Sequence, residues 1–287
     1  PFDVDYVAHE VGHQMGGSHT FNGGTGSCGG GNRSSANAYE PGSGTTIMAY
    51  AGICGVENVQ PNSDPYFHVR SLEQIISTRN ASGCAVTSAT GNTPPVADAG
   101  ADRIIPRNTT FYLQGAVTDP DADTPTYTWE QYDLGAAGPT LDPYGPIFRS
   151  YDLGTANYRY FGNSGTPFES LPTVDRSLTM RFTARDNAAS GGGVDDDEIE
   201  LTVSGAPFAV TSPNGGESFV AGQPVTVTWD VGGSIATDVV IWMTHAGGFY
   251  TLAGNTPNDG SEDVIMPCGI TDAGAKIWMQ EQTGVAT

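Results

Sequence analysis

Near the start of the chain, His9-Glu10-Val11-Gly12-His13-Gln14-Met15-Gly16-Gly17-Ser18-His19 spells H-E-x-x-H-x-x-G-x-x-H, and that spacing dictates local structure. Residues 9 and 13 stand one turn apart on a helix, so both imidazoles leave the same face and can share one metal ion. Gly16 ends the helix cheaply in the left-handed conformation, and the chain can then swing back to bring in His19. Three neutral imidazoles with one open position is the catalytic way to hold zinc. Glu10 is expected to point beside the metal, where its carboxylate can take a proton from a water held there, which is hydrolase chemistry. The bland alternative is an amphipathic helix with accidental histidines, but these are three of only five histidines in the chain. Asp3 is expected to cap the helix, and Val4, Val7, Val11 and Met15 form an apolar face turned away from His9 and His13.

Thr46-Ile47-Met48-Ala49-Tyr50 adds a second, independent pattern. Together the two resemble the metzincin clan of zinc peptidases, in which a Met-turn places a methionine as an apolar floor beneath the three imidazoles. The resemblance implies zinc on His9, His13 and His19, Glu10 as general base, and Met48 as the floor. It gives Tyr50 two readings, a movable ligand or hydrogen-bond donor to the developing oxyanion on the one hand, and simple packing on the other. His19-Thr20-Phe21 is similar to the pappalysins. Cys28 to Arg33, Ala38 to Cys54 and Ser63-Asp64-Pro65-Tyr66-Phe67-His68 look more like the bacterial reprolysin-like peptidases, which is the preferred family. Thr20 stands where reprolysins of animals and venoms carry aspartate, so their substrate preferences are not carried over. Ser71-Leu72-Glu73-Gln74 reads as a capping box opening the last helix of this domain, with Leu72, Ile75 and Ile76 on its buried side.

Metzincins place a twisted sheet and a helix ahead of the zinc helix, and an edge strand of that sheet pairs with the extended substrate. Pro1 precedes the helix by a few residues only, so the chain is expected to be the C-terminal part of a longer precursor. Its missing N-terminal half is then a candidate partner, the valine face lacks its sheet, and the fragment alone is expected to be a poor peptidase. No signal peptide or membrane-length apolar run is present, which in a fragment says nothing about export.

A formal net charge of -21, with Lys276 the single lysine, argues against nucleic acid and anionic membrane as partners and leaves protein or peptide substrates and divalent cations. Four cysteines without a C-x-x-C read as disulfides of an oxidising compartment, hence a secreted, extracellular protein. Cys28 and Cys54 flank the Met-turn region and are the preferred pair, closing a glycine-rich loop. Cys84 is left for the missing half, as the corresponding cysteine is in related peptidases, and Cys268 is unpaired or waits for residues beyond Thr287.

At Thr93-Pro94-Pro95 the chain changes character. Leu178, Met180, Phe182 and Ala184 alternate with polar residues, as do Ile199, Leu201 and Val203, which is the period of a sheet with one wet face. Pro95 to Gly100, Asp119-Pro120-Asp121-Ala122-Asp123 and Tyr127-Thr128-Trp129 resemble PKD-type immunoglobulin-like domains, with Trp129 in the core of the sandwich and an insertion near 135–172. Asp119, Asp121 and Asp123 offer oxygens suited to Ca2+, or are a solvated turn. Asp195-Asp196-Asp197-Glu198 reads as a polar turn ahead of a strand that blocks edge pairing. A second sandwich starts near Ser212-Pro213-Asn214 and resembles fibronectin- or immunoglobulin-like accessory modules. In it Val225, Val227 and Trp229 alternate with polar residues, Val239 to Met243 reads as a strand buried on both sides, and a last strand is expected to be missing.

The expected fold is therefore mixed: the C-terminal part of an α+β metzincin catalytic domain at 1–88, a PKD- or Ig-like sandwich at 89–205, and an FnIII- or Ig-like sandwich at 206–287, the two sandwiches folding independently. The expected function is zinc-dependent endopeptidase activity of the parent protein. The competing reading is a non-catalytic extracellular structural or adhesive fragment.

Overall fold

The computed structural model describes residues 4–84, 86–137, 142–162, 165, 167–270, 272–281 and 285–286. Asp3, the expected helix cap, lies outside them. Among the described residues two α-helices precede fifteen strands.

Helix α1 (Val4–Gln14) buries His9 and Gly12. The face carrying Val4, Val7 and Val11 is open, at 75%, 40% and 53% exposure. The chain then runs from Met15 to His68 with two short 3-10 turns, Gly26–Cys28 and Gly55–Glu57, and no strand. Helix α2 (Val69–Ala81) starts two residues ahead of the expected capping box. His68 Nδ1 accepts from the Arg70 amide and serves as the cap. Gln74, the intended partner of Ser71, is drawn away instead, accepting the Ser18 amide at 3.0 Å and donating to Ser18 Oγ and Asn37 Oδ1. Glu73 is engaged elsewhere. It pairs with Arg70 at 2.8 Å and accepts the Tyr132 hydroxyl at 2.5 Å from the neighbouring domain. Ser71 is buried, while Leu72, Ile75 and Ile76 are half-buried.

The first sandwich comprises β1 (Val96–Asp98), β2 (Arg103–Ile105), β3 (Thr110–Gln114), β4 (Ala116–Thr118), β5 (Thr126–Gln131), β6 (Tyr158–Phe161), β7 (Arg176–Arg185) and β8 (Val194–Val203). One sheet runs β2-β8-β7-β5, with β2 parallel to β8 and the rest antiparallel. Its inner face is the alternating set read from the sequence: Leu178, Met180, Phe182, Ala184, Ile199 and Leu201 are fully buried, and Trp129 packs on Phe182 at 4.9 Å between ring centroids. The acidic run at Asp195 is a correction to the expected turn, because it lies inside β8. Asp195 and Asp197 accept the amides of Ala97 and Ala99 on β1, each at 2.9 Å, so carboxylates replace part of a backbone ladder. Asp196 and Glu198 pair with Arg181 across the β7–β8 ladder.

The second sandwich comprises β9 (Ala209–Ser212), β10 (Pro224–Asp230), β11 (Asp238–His245), β12 (Gly248–Pro257), β13 (Ser261–Ile265), β14 (Lys276–Glu281) and β15 (Val285–Ala286). Sheet β13-β10-β9 faces a longer one ordered β12-β11-β14-β15-β3-β6. In β11 only Val239, Ile241 and Met243 are buried, so this strand has one core face rather than two. The two sandwiches, expected to fold independently, share a sheet and a core. β15 pairs with β14 on one side and with β3 of the first sandwich on the other. The apolar core is likewise continuous, running from Phe111 and Trp129 through Phe208 to Val227, Ile241 and Met279. A strand shared between modules removes two open edges at once, which is a physical reason for the fusion.

The insertion folds back on the N-terminal lobe. Gly135 and Ala136 present carbonyls to Arg33 and Asn22, and Ser150 O accepts from Thr45 Oγ1. Glu130 takes the first amide of α2, and Arg185 donates to Phe67 O. Tyr132 stacks on Tyr39 at 4.2 Å. Lobe and sandwich are thus joined by buried polar contacts as well as by the linker.

Candidate metal centre

Helix geometry sends His9 and His13 out on one side of α1, and Gly16 turns the chain with φ +87. A side chain at Gly16 would also collide with Thr78 Oγ1 of α2, so both backbone and packing demand glycine there. The Gly17 amide closes back on Gly12 O at 2.8 Å, and His19 then faces the helix. The three Nε2 atoms converge: His13 to His19 is 3.1 Å and His9 to His19 is 3.2 Å.

Each ring is oriented by its other nitrogen. Nδ1 of His9, His13 and His19 lies 2.7, 2.8 and 2.5 Å from the carbonyls of Ile47, Gly17 and Asn32. A carbonyl only accepts, so each Nδ1 carries the proton and each Nε2 carries a lone pair directed at the centre. Burial is the largest cause holding the His9 and His19 pKa values below the usual imidazole range, which keeps both rings neutral and able to ligate.

Three converging lone pairs with no proton between them repel unless a cation sits among them. Zinc fits this set: nitrogens at about 2.0–2.1 Å in tetrahedral arrangement stand about 3.3–3.4 Å apart, close to the separations found.

Met48 is fully buried, with its sulfur under α1, where a Cβ at Gly12 would lie 2.4 Å from Sδ. Tyr50 stands against the histidines, its ring 4.6 Å from that of His19 and 5.6 Å from that of His9. Its phenol is held above the usual pKa, chiefly by burial and then by Glu10, so it is a proton donor at neutral pH. Glu10 is exposed on the same helix and contributes to the electrostatics of His9, His19 and Tyr50. Cys28 and Cys54 are disulfide-bonded and packed with Phe21 and Ala49, while Cys84 and Cys268 are free and exposed.

Several contributors escape sequence reading. Ile47, Gly17 and Asn32 act through backbone carbonyls, which no residue letter records. Gly12 occupies a variable position of the motif. Glu40, fully buried, accepts from the amides of Thr45 and Thr46 with Oε1 and from the hydroxyls of Thr20 and Thr46 with Oε2. It therefore ties the residue after the third histidine to the Met-turn. Glu57 does similar work with Oε2 for the amides of Gly24 and Thr25.

The aspartate cluster is rearranged from its expected membership. Asp119, Asp123 and Asp186 have carboxylate oxygens within 4.8 Å of one another. Asp121 turns away to accept from the Thr93 amide at 2.6 Å. Asp186 is already engaged with Asn92 Nδ2 and the amides of Ala188 and Gly193. On these bonds the cluster latches linker residues 92 and 93 to the sandwich.

Residues 1–78 match the family model described as Metallo-peptidase family M12B Reprolysin-like. No curated protein matches the chain. Solved structures similar to the chain include the PKD domain (329-428) from human KIAA0319, at 17% identity and TM-score 0.28, covering 47% of this chain and 100% of that one. The chicken CNTN1 FN1-FN3 domains are similar at 10% identity and TM-score 0.28, covering 68% of this chain and 65% of that one. No helix among the described residues is long and apolar enough to cross a membrane.

Proposed function

We propose that this reprolysin-like segment is the metal-binding part of a zinc-dependent endopeptidase that acts on protein or peptide substrates outside the cell. The observation that carries the reading is the convergence of three Nε2 lone pairs, each fixed by a carbonyl on the opposite ring nitrogen. Zinc, when bound, supplies a Lewis acid for the scissile carbonyl and makes water acidic enough to attack at neutral pH. His9, His13 and His19 would hold it. Glu10 accepts the proton of the attacking water and returns it to the leaving amine. Tyr50, protonated and beside His19, donates a hydrogen bond to the carbonyl oxygen as charge develops there. The Cys28–Cys54 disulfide supports export to an oxidising compartment.

The test combines metal content with hydrolysis, using the longest natural form of the protein that contains this chain. Wild type and Glu10→Gln are expected to hold about one zinc each, while casein or fluorogenic-peptide cleavage falls about a thousandfold in the variant. His13→Ala is expected to lose the metal. Retention of full zinc by His13→Ala, or full activity of Glu10→Gln, overturns the assignment. Stoichiometric zinc with no hydrolysis by wild type favours the non-catalytic, adhesive alternative.

A further inference from the structure

The three carbonyls that orient the histidines are not equally secure. Gly17 O belongs to the turn that closes α1, and Ile47 O to the Met-turn that Glu40 braces. Asn32 O, the acceptor for His19, lies at the end of Gly29-Gly30-Gly31, where nothing packs on Gly30 or Gly31. Glycine loops without packing lose the most entropy on ordering, so something else must hold this carbonyl in place. The Asn32 side chain donates to Ser27 O at 2.8 Å, and the next residue adds the tie to the sandwich side. Arg33 donates to Asn22 Oδ1 through Nε at 3.0 Å and Nη2 at 2.7 Å, and through Nη2 to Gly135 O at 2.6 Å. Asn22 in turn donates to Ala136 O at 2.9 Å.

Gly135 and Ala136 are themselves held from the sandwich side. Asp142 accepts the Ala136 amide at 3.0 Å, and Gly135 is in backbone contact with Gly145. Arg176 donates to Gly145 O at 2.8 Å and pairs with Asp133 at 3.1 Å, its side chain 4% exposed. An unbroken chain of contacts thus runs from β7 of the sandwich through Arg176, Gly145, Gly135, Arg33 and Asn32 O to His19.

We propose that Arg33 is a positioning residue through which the PKD-like sandwich sets the orientation of the third metal ligand, so that metal affinity in the N-terminal lobe depends on the accessory domain. This rests on the zinc reading above. Arg33 touches neither metal nor substrate. Its effect passes through the carbonyl that fixes the His19 tautomer and ring angle, the kind of outer contact whose loss weakens metal binding by tenfold or more.

The experiment measures zinc affinity of the full chain by competition with a chromophoric chelator, with thermal melting alongside. Arg33→Ala is expected to weaken zinc binding about tenfold. Arg33→Lys, which keeps the charge but not the two-armed grip, is expected to fall between it and wild type. Asp142→Ala is the decisive variant. It lies in the insertion, where it accepts the amides of Ala136 and Tyr144, and is expected to weaken zinc binding severalfold by loosening the Gly135 carbonyl, even if Arg33→Ala fails to fold. Zinc affinities of Arg33→Ala and Asp142→Ala within about twofold of wild type, with only the melting temperature lowered, overturn the proposal and leave the zinc site standing. Absence of zinc binding by wild type overturns both.

Discussion

In the sandwiches, Leu178, Phe182, Ile199, Leu201 and Met279 are fully buried in one continuous apolar core. Between Met15 and His68, by contrast, the buried apolar cluster is Phe21, Cys28, Ala49 and Cys54. The sandwiches are ordered by area removed from water. The N-terminal lobe is ordered by directed bonds: a disulfide, the carboxylates of Glu40 and Glu57 gathering backbone amides, and imidazoles pinned to carbonyls. Apolar cores tolerate shape-conserving exchange, whereas a polar network fails when one member leaves and its partners stay buried. A metal centre needs positions fixed to a fraction of an ångström, and hydrogen bonds specify direction where oily contact does not.

The contrast can be broken first at its strongest point. Phe182→Ala is expected to cost about 3–5 kcal/mol and, because the core is shared, to lower the melting of both sandwiches as one calorimetric transition. Separate transitions would show that the shared strand and core do not couple them. Glu40→Leu sharpens the other side. It leaves the amides of Thr45 and Thr46 without an acceptor and is expected to cost about 3 kcal/mol, confined to the lobe. Protease nicking between residues 20 and 60 with an unchanged sandwich transition would report it, and loss of the sandwich transition would contradict the division. Gly12→Ala is the smallest, about 1–3 kcal/mol, since its new methyl meets the flexible end of Met48. Added Met48→Ala is expected to recover part of that loss, a coupling read from a double-mutant cycle on melting.

The legible parts of the sequence were those where one side chain does one job at a fixed period. Strands β7 and β8 alternate because one face is wet, and α1 shows His9 and His13 on one side because a turn repeats every three to four residues. Where a backbone group acts, as at Ile47, Gly17 and Asn32, no letter marks it. Glu40 was invisible because its partners at Thr20, Thr45 and Thr46 meet only after folding. Ser71 looks like a cap by spacing, yet His68 takes the free amide of Arg70, and Ser18 and Asn37 claim Gln74. The run from Asp195 looked like a turn because acids avoid strands, but here Asp195 and Asp197 bond to the backbone of β1. The shared sheet was hidden because pairing between distant strands depends on register, which alternation alone does not fix.

The contacts between lobe and sandwich bear on how such a chain would be processed. Residues 86–91 are exposed and carry no regular structure, with Val86 at 98% exposure, so a processing protease would cut there. Yet Glu73 would still hold Tyr132, Glu130 would still accept the Val69 amide, and Arg33 would still grip Gly135. Such a cut would leave a two-chain molecule that travels as one on a sizing column and parts only on a denaturing gel.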